Sequence, residues 1–116
     1  MTALAAAFLC LSPVAVDGDT LRCEVVGLVR LEGIDAPEMP GHCRRGRVCV
    51  PGDPFASLAS LDQMIRGKRV RCVPSGRDYY GRVLARCVAG WRDLSCEQVA
   101  RGRAVLSYRP ISCPRF

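Results

Sequence analysis

Residues 9–34, LCLSPVAVDGDTLRCEVVGLVRLEGI, decide how this chain folds. Leu9 to Val16 is apolar enough for a strand, and Pro13 within it, lacking an N–H, marks a sheet edge or a bulge. Asp17-Gly18-Asp19 then reverses the chain into Leu21 to Val26, and Gly27 permits a second reversal into Leu28 to Ile34. The expected unit is a three-stranded meander. In its third strand Val29 and Leu31 face one side while Arg30 and Glu32 face the other, because side chains alternate along a strand. Arg30 therefore points away from the core.

Downstream, Asp53-Pro54 opens an apolar series at Phe55, Leu58, Leu61 and Ile65. The pattern predicts a helix capped by Asp53, started by Pro54 and stopped by Gly67. Lys68 to Pro74 and Arg82 to Val88 predict a hairpin joined by the loop with Tyr79 and Tyr80. Asp93 caps a second, short helix from Leu94 to Arg101, closed by Gly102. Five strands with a helix between the third and fourth suit a small antiparallel barrel or a sandwich, and composition does not choose between them.

The chain has 116 residues, enough for one domain, and a net charge of +6, which makes a polyanion the natural partner. Eight cysteines in this length point to an oxidising compartment, and hence to secretion or a periplasm. The cysteines form no Cys-x-x-Cys pair, and the single histidine, His42, has no partner at ligand spacing, so a zinc site is not expected. Cys72 and Cys87 lie symmetrically about the hairpin centre, so regular pairing opposes them within disulfide range. Cys43–Cys49 is expected as a local bridge, and Cys96–Cys113 as the tie that holds the tail. No stretch approaches the roughly 18 apolar residues of a membrane span. Met1 to Leu11 has the apolar character of a signal peptide without a basic start. Residues 1–7 are therefore read as an extension or leader remnant, and 8–116 as a single domain, expected to be a monomer.

Three segments carry chemistry: Val16 to Thr20, Arg30 to Glu38, and Asp78 to Arg82. They supply carboxylates and arginines beside chain reversals, the set that phosphodiester cleavage requires. Each has an ordinary reading too. Asp19 and Asp35 are at home in turns, Glu38 could be a solvated loop carboxylate, and either arginine could close a surface ion pair. The clustering of Asp19, Asp35 and Glu38 across the rigid Ala36-Pro37 step favours a shared cation. Loop-borne oxygen ligands suit calcium, with magnesium or manganese also compatible.

In these segments the chain resembles the staphylococcal nuclease family, from about Phe8 to Tyr108. The resemblance implies an α+β fold, a five-stranded Greek-key barrel of OB type with two short helices. It implies a calcium-dependent nuclease of low sequence preference that takes DNA and RNA and leaves 3′-phosphate ends. By the same resemblance Asp19, Asp35 and the backbone carbonyl of Ala36 hold Ca2+. Glu38 is the general base, Arg30 and Arg82 stabilise the transition state, and Tyr80 and Tyr108 line the nucleotide pocket. Arg44, Arg45 and Arg47, between Cys43 and Cys49, are read as a basic flap near the substrate path or as a plain solvated loop. Tyr79 departs from the family, where a lysine often stands. The competing function is a catalytically silent OB-fold that binds single-stranded nucleic acid. With Glu38, Arg30 and Arg82 all present, the enzyme reading leads.

Overall fold

The computed structural model describes residues 6–107 and 111–113. In chain order the elements are β1 (Phe8–Leu9), β2 (Leu11–Asp17), β3 (Thr20–Glu24), β4 (Gly27–Leu31) and β5 (Ile34–Asp35). There follow α1 (Pro54–Ile65), β6 (Val70–Arg77), β7 (Val83–Ala89), β8 (Arg92–Asp93), α2 (Leu94–Ala100) and β9 (Val105–Leu106).

The meander is present: β2, β3 and β4 are antiparallel neighbours. The first expected strand, however, is two strands. Its start, β1, pairs with β6, and its continuation, β2, pairs with β3. These two are the opposite edges of a sheet whose order runs β1-β6-β7-β4-β3-β2. Two edges that are nearly contiguous in sequence force the sheet to curl round on itself, which makes it a barrel rather than a sandwich. At the crossing point the Cys10 N–H bonds to the Val70 carbonyl at 2.8 Å, and Cys10 is bridged to Cys23 on β3. The register of β2 slips between Leu11 and Val14, where Pro13 sits, so the proline occupies an irregularity where no ladder donor is required.

The β4–β7 pairing is parallel, with Val29 opposite Val83 and Arg30 opposite Leu84. A parallel pair needs a long crossover, and the segment containing α1 and β6 provides it. The inner faces pack Leu21, Val29, Leu31, Ile34, Val70, Val83 and Ala85 against Leu61, Met64 and Ile65 of α1. The buried face of α1 differs from the expected stripe. Ser57 and Ser60 are buried while Phe55 is 59% exposed. The helix approaches the barrel through small residues near its start, and the Ser57 hydroxyl is satisfied by donating to the Arg103 carbonyl at 2.7 Å. Asp53 caps α1 by accepting from the N–H groups of Phe55 and Ala56, and Asp93 caps α2 by accepting from Cys96.

Four disulfides close: Cys10–Cys23, Cys43–Cys49, Cys72–Cys87 and Cys96–Cys113. Cys72 and Cys87 are direct register partners on β6 and β7. Cys10–Cys23 is the bridge sequence reading did not anticipate, because it depends on the strand switch. Disulfides fit an oxidising environment. Among the described residues no helix is long and apolar enough to cross a membrane.

Candidate active site

Asp19 occupies the turn between β2 and β3, and its carboxylate is already engaged on both oxygens. Oδ1 accepts from the Thr20 hydroxyl at 3.1 Å, and Oδ2 accepts from the Ala36 N–H at 2.8 Å. Arg30, at the position opposite Thr20 on β4, brings Nη2 to 3.2 Å from Asp19 Oδ2 and 2.6 Å from Asp35 Oδ1. Its Nη1 donates to the Leu31 carbonyl at 2.9 Å, which fixes the plane of the fork. Asp35 is carried by β5, which pairs with β9. Two carboxylates, one from the β2–β3 turn and one from β5, thus converge on one cationic nitrogen.

Burial pushes the Asp19 carboxyl up to about 7, against the pull of Arg30. A carboxylate held this far from water gains most from a nearby cation. The donor set consists of hard oxygens, and a guanidinium nitrogen marks the point where they converge. This chemistry fits a hard divalent ion. Among the described residues no three His, Cys, Asp or Glu side chains form a metal cluster. Asp19 and Asp35 are the two carboxylates that meet at this point, and both are engaged by Arg30.

The parallel register puts Arg30 and Arg82 on the same outward face of neighbouring strands, since the intervening Val29, Leu31 and Val83 are all buried. Arg30, Asp35, Arg77, Asp78, Tyr80 and Arg82 line one groove of about 570 Å³. Arg82 is braced by Asp78, whose Oδ2 accepts from Nε at 2.6 Å and whose Oδ1 accepts from the backbone N–H of Arg82 and Tyr80. Hydrogen bonds and charge from Arg82 overcome the opposing effect of desolvation and hold the Asp78 carboxyl below its usual value. The Arg82 guanidinium carbon also lies 5.6 Å from the Tyr80 ring centroid.

Glu38 stands apart from this groove. Its Oε1 is 3.7 Å from Nη1 of Arg47, on the loop closed by Cys43–Cys49. The same loop places the Arg44 guanidinium carbon 5.0 Å from the Tyr80 centroid, so Tyr80 is shared by Arg44 and Arg82. Arg45 is exposed. Tyr108 lies outside the described residues. Sequence reading missed two residues that shape the site. Asp78 was seen as part of a loop motif and not as the brace of Arg82. Gln98 on α2, fully buried, donates to the Gly18 carbonyl beside Asp19. Its position inside a short helix gave no signal of that contact.

The curled barrel with two helices defines an OB-type fold, and it carries a cleft lined by arginines and carboxylates. Residues 28–114 match the family of staphylococcal nuclease homologues, and the chain belongs to that family. It is 36% identical over 84 residues to a probable endonuclease LCL3 of Komagataella phaffii, covering 67% of this chain and 34% of that protein. A probable endonuclease LCL3 of Saccharomyces cerevisiae is 39% identical over 85 residues, covering 67% of this chain and 29% of the relative. A probable endonuclease LCL3 of Paracoccidioides brasiliensis is 42% identical over 59 residues, covering 49% and 16%. The chain spans about a third or less of the length of these relatives.

Proposed function

We propose that this domain hydrolyses phosphodiester bonds in DNA and RNA as a secreted, monomeric, calcium-dependent nuclease. The observation that carries this reading is the placement of Arg30 and Arg82 on one groove with Asp35, while Asp19 reaches the same Arg30 nitrogen. Asp19, Asp35 and the Ala36 carbonyl are the residues that would hold calcium, and the bound ion would polarise the phosphoryl oxygens. The family membership and the names of the relatives, probable endonucleases, favour the same class of activity.

Within that reading, the two guanidinium groups grip the non-bridging phosphate oxygens and offset the charge that grows as phosphorus becomes five-coordinate. Arg82 is pre-aimed by Asp78, so little ordering is needed when substrate arrives. Glu38, which is paired with Arg47 and does not line the groove, is given the role of general base on the family resemblance alone. It takes the proton of the attacking water as the new P–O bond forms, and solvent water supplies the proton to the leaving O5′. The P–O5′ bond breaks, which leaves a 3′-phosphate on one product and a 5′-hydroxyl on the other. Tyr80 lies against the nucleotide, with Arg44 over its ring.

Plasmid DNA and structured RNA incubated with the protein in calcium, and in parallel with a chelator, test the proposal. Cleavage restricted to the calcium arm and lost in Glu38→Gln is the expected result. Binding without cleavage in calcium would leave the silent nucleic-acid-binding module as the function.

A further inference from the structure

The β6–β7 hairpin has a second exposed end. Opposite the Tyr79–Tyr80 loop, the turn Gly90–Trp91 joins β7 to β8 and presents Trp91, the only tryptophan of the chain, 83% exposed. The Arg92 guanidinium carbon lies 5.1 Å from the indole centroid. Lys68 on the α1–β6 connection packs beside Gly90, its Cδ 3.9 Å from where a Cβ would stand. Val70 pairs with Ala89, so Arg69 leaves the strand next to the same turn, and Arg71 stands opposite Val88 on the outer face. Lys68, Arg69 and Arg71 are exposed. Among the described residues none of these four cations has a carboxylate partner. Asp93, adjacent to Arg92 on β8, is taken by Arg86.

A tryptophan is rarely left this exposed, since its ring is the largest apolar surface among side chains and its N–H seeks a partner. Four unneutralised cations at this end of the hairpin call for a negatively charged partner, and the indole, exposed apart from Arg92 over its ring, calls for one with a flat face. Single-stranded nucleic acid has both features in alternation. We propose that the Trp91 turn is an exosite for single-stranded nucleic acid. An unpaired base stacks on Trp91, with flanking phosphates taken by Arg92, Lys68 and Arg69. Five residues of β6, Val70 to Pro74, lie between this end and the groove, whose lining on that strand begins at Ser75, about 16 Å at strand rise. The exosite is thus distinct from the cleft and holds long strands that a dinucleotide cannot imitate. Its link to hydrolysis rests on the nuclease reading, but its binding does not.

Because Trp91 is the sole tryptophan, its fluorescence reports the exosite directly. The intact protein is titrated in chelator with an oligothymidylate of about 20 nucleotides, longer than the usual site of one OB-type fold. Quenching that weakens with salt is expected. Lys68→Ala with Arg69→Ala should flatten the dependence of log affinity on log salt by about 1.4, the loss of two single-strand phosphate contacts. Trp91→Ala, followed by anisotropy of labelled oligonucleotide, should weaken binding about tenfold. In calcium it should lower kcat/KM on long single strands and leave a dinucleotide substrate unaffected. Oligonucleotide binding without quenching would overturn the exosite, as would equal quenching by polyglutamate, which has charge but no bases. Quenching by a protein that cleaves nothing would support the exosite and strike only the nuclease reading.

Discussion

The side-chain amide of Gln98 donates to the carbonyl oxygen of Gly18 at 2.8 Å, so that helix α2 holds the turn presenting Asp19. The same nitrogen donates to the Ser57 carbonyl at 3.0 Å, which joins α1 to that point as well. Only a donor can satisfy two carbonyls at once, which sets the orientation of the amide. Gly18 is needed there for space. A Cβ on it would lie 1.7 Å from the Ser57 hydroxyl oxygen and 2.8 Å from the Ala36 Cβ.

Gln98→Leu keeps the bulk but strands two buried carbonyls, so it should destabilise the domain by about 1–3 kcal/mol. It should also raise the calcium concentration required for hydrolysis, because the Asp19 turn loses its anchor. Urea unfolding and calcium-dependent cleavage, measured on the same variant, check both effects. An unchanged calcium requirement would make Gln98 a packing residue only. Gly18→Ala should cost at least as much, since the inserted methyl has nowhere to go.

Glu38 and its partner Arg47 should separate cleanly. Glu38→Gln should leave unfolding unchanged within error and lower the rate by about two to four orders of magnitude, the usual span of a general base. Arg47→Ala breaks a half-exposed pair, worth less than about 1 kcal/mol, and should change stability little. A rate for Glu38→Gln near that of the parent would remove the proton-transfer role.

Acid should act on the Tyr79–Tyr80 loop through Asp78. Its folded carboxyl titrates below the ordinary 3.8. The stabilisation it gives is therefore complete above that value and is lost as pH falls through the folded one. Tyr79 and Tyr80 meet edge to face, 5.4 Å between centroids. Their near-ultraviolet circular dichroism should hold down to about pH 4 and fade on further acidification. Asp78→Asn should abolish this step and lower activity at neutral pH, since Arg82 loses its charged brace. An acid step that survives in Asp78→Asn would assign it to another group.

Cys43–Cys49 should open first under mild reductant. Cys43 is exposed, whereas Cys72 and Cys87 are wholly buried in the barrel wall. Thiol labelling followed by peptide mapping should find Cys43 and Cys49 modified while far-ultraviolet dichroism is unchanged. Nucleic-acid affinity should fall at that stage, because Arg44 and Arg47 lose the closed loop that sets them against Tyr80 and Glu38. Early labelling of Cys72 would contradict the order.

The placement of several candidate residues and of both helix starts was legible because the signals are local. Arg30 had to face outward once Val29 and Leu31 were assigned to the core, and the Asp53 and Asp93 caps announced both helices within a turn of their starts. Phe55 was misread because the apolar stripe was traced through large residues, whereas α1 buries Ser57 and Ser60 where it comes close to Gly18. Small polar residues satisfied by a distant carbonyl leave no periodic trace. Glu38 was legible as a carboxylate near Asp35, but its pairing with Arg47 depends on how the disulfide loop folds back.

The sequence by itself determined the meander, its turns, the helix starts and the opposition of Cys72 to Cys87, since each follows from neighbours a few residues apart or from symmetry about one turn. Tertiary structure alone decided that the first strand divides between two sheet edges and closes a barrel. It alone decided that parallel pairing sets Arg30 and Arg82 on one face, that Gln98 reaches Gly18, and that Arg30 bridges Asp19 and Asp35. These contacts join segments distant in sequence or separate turns, and their register is chosen by burying one continuous core, a collective property that no short stretch encodes.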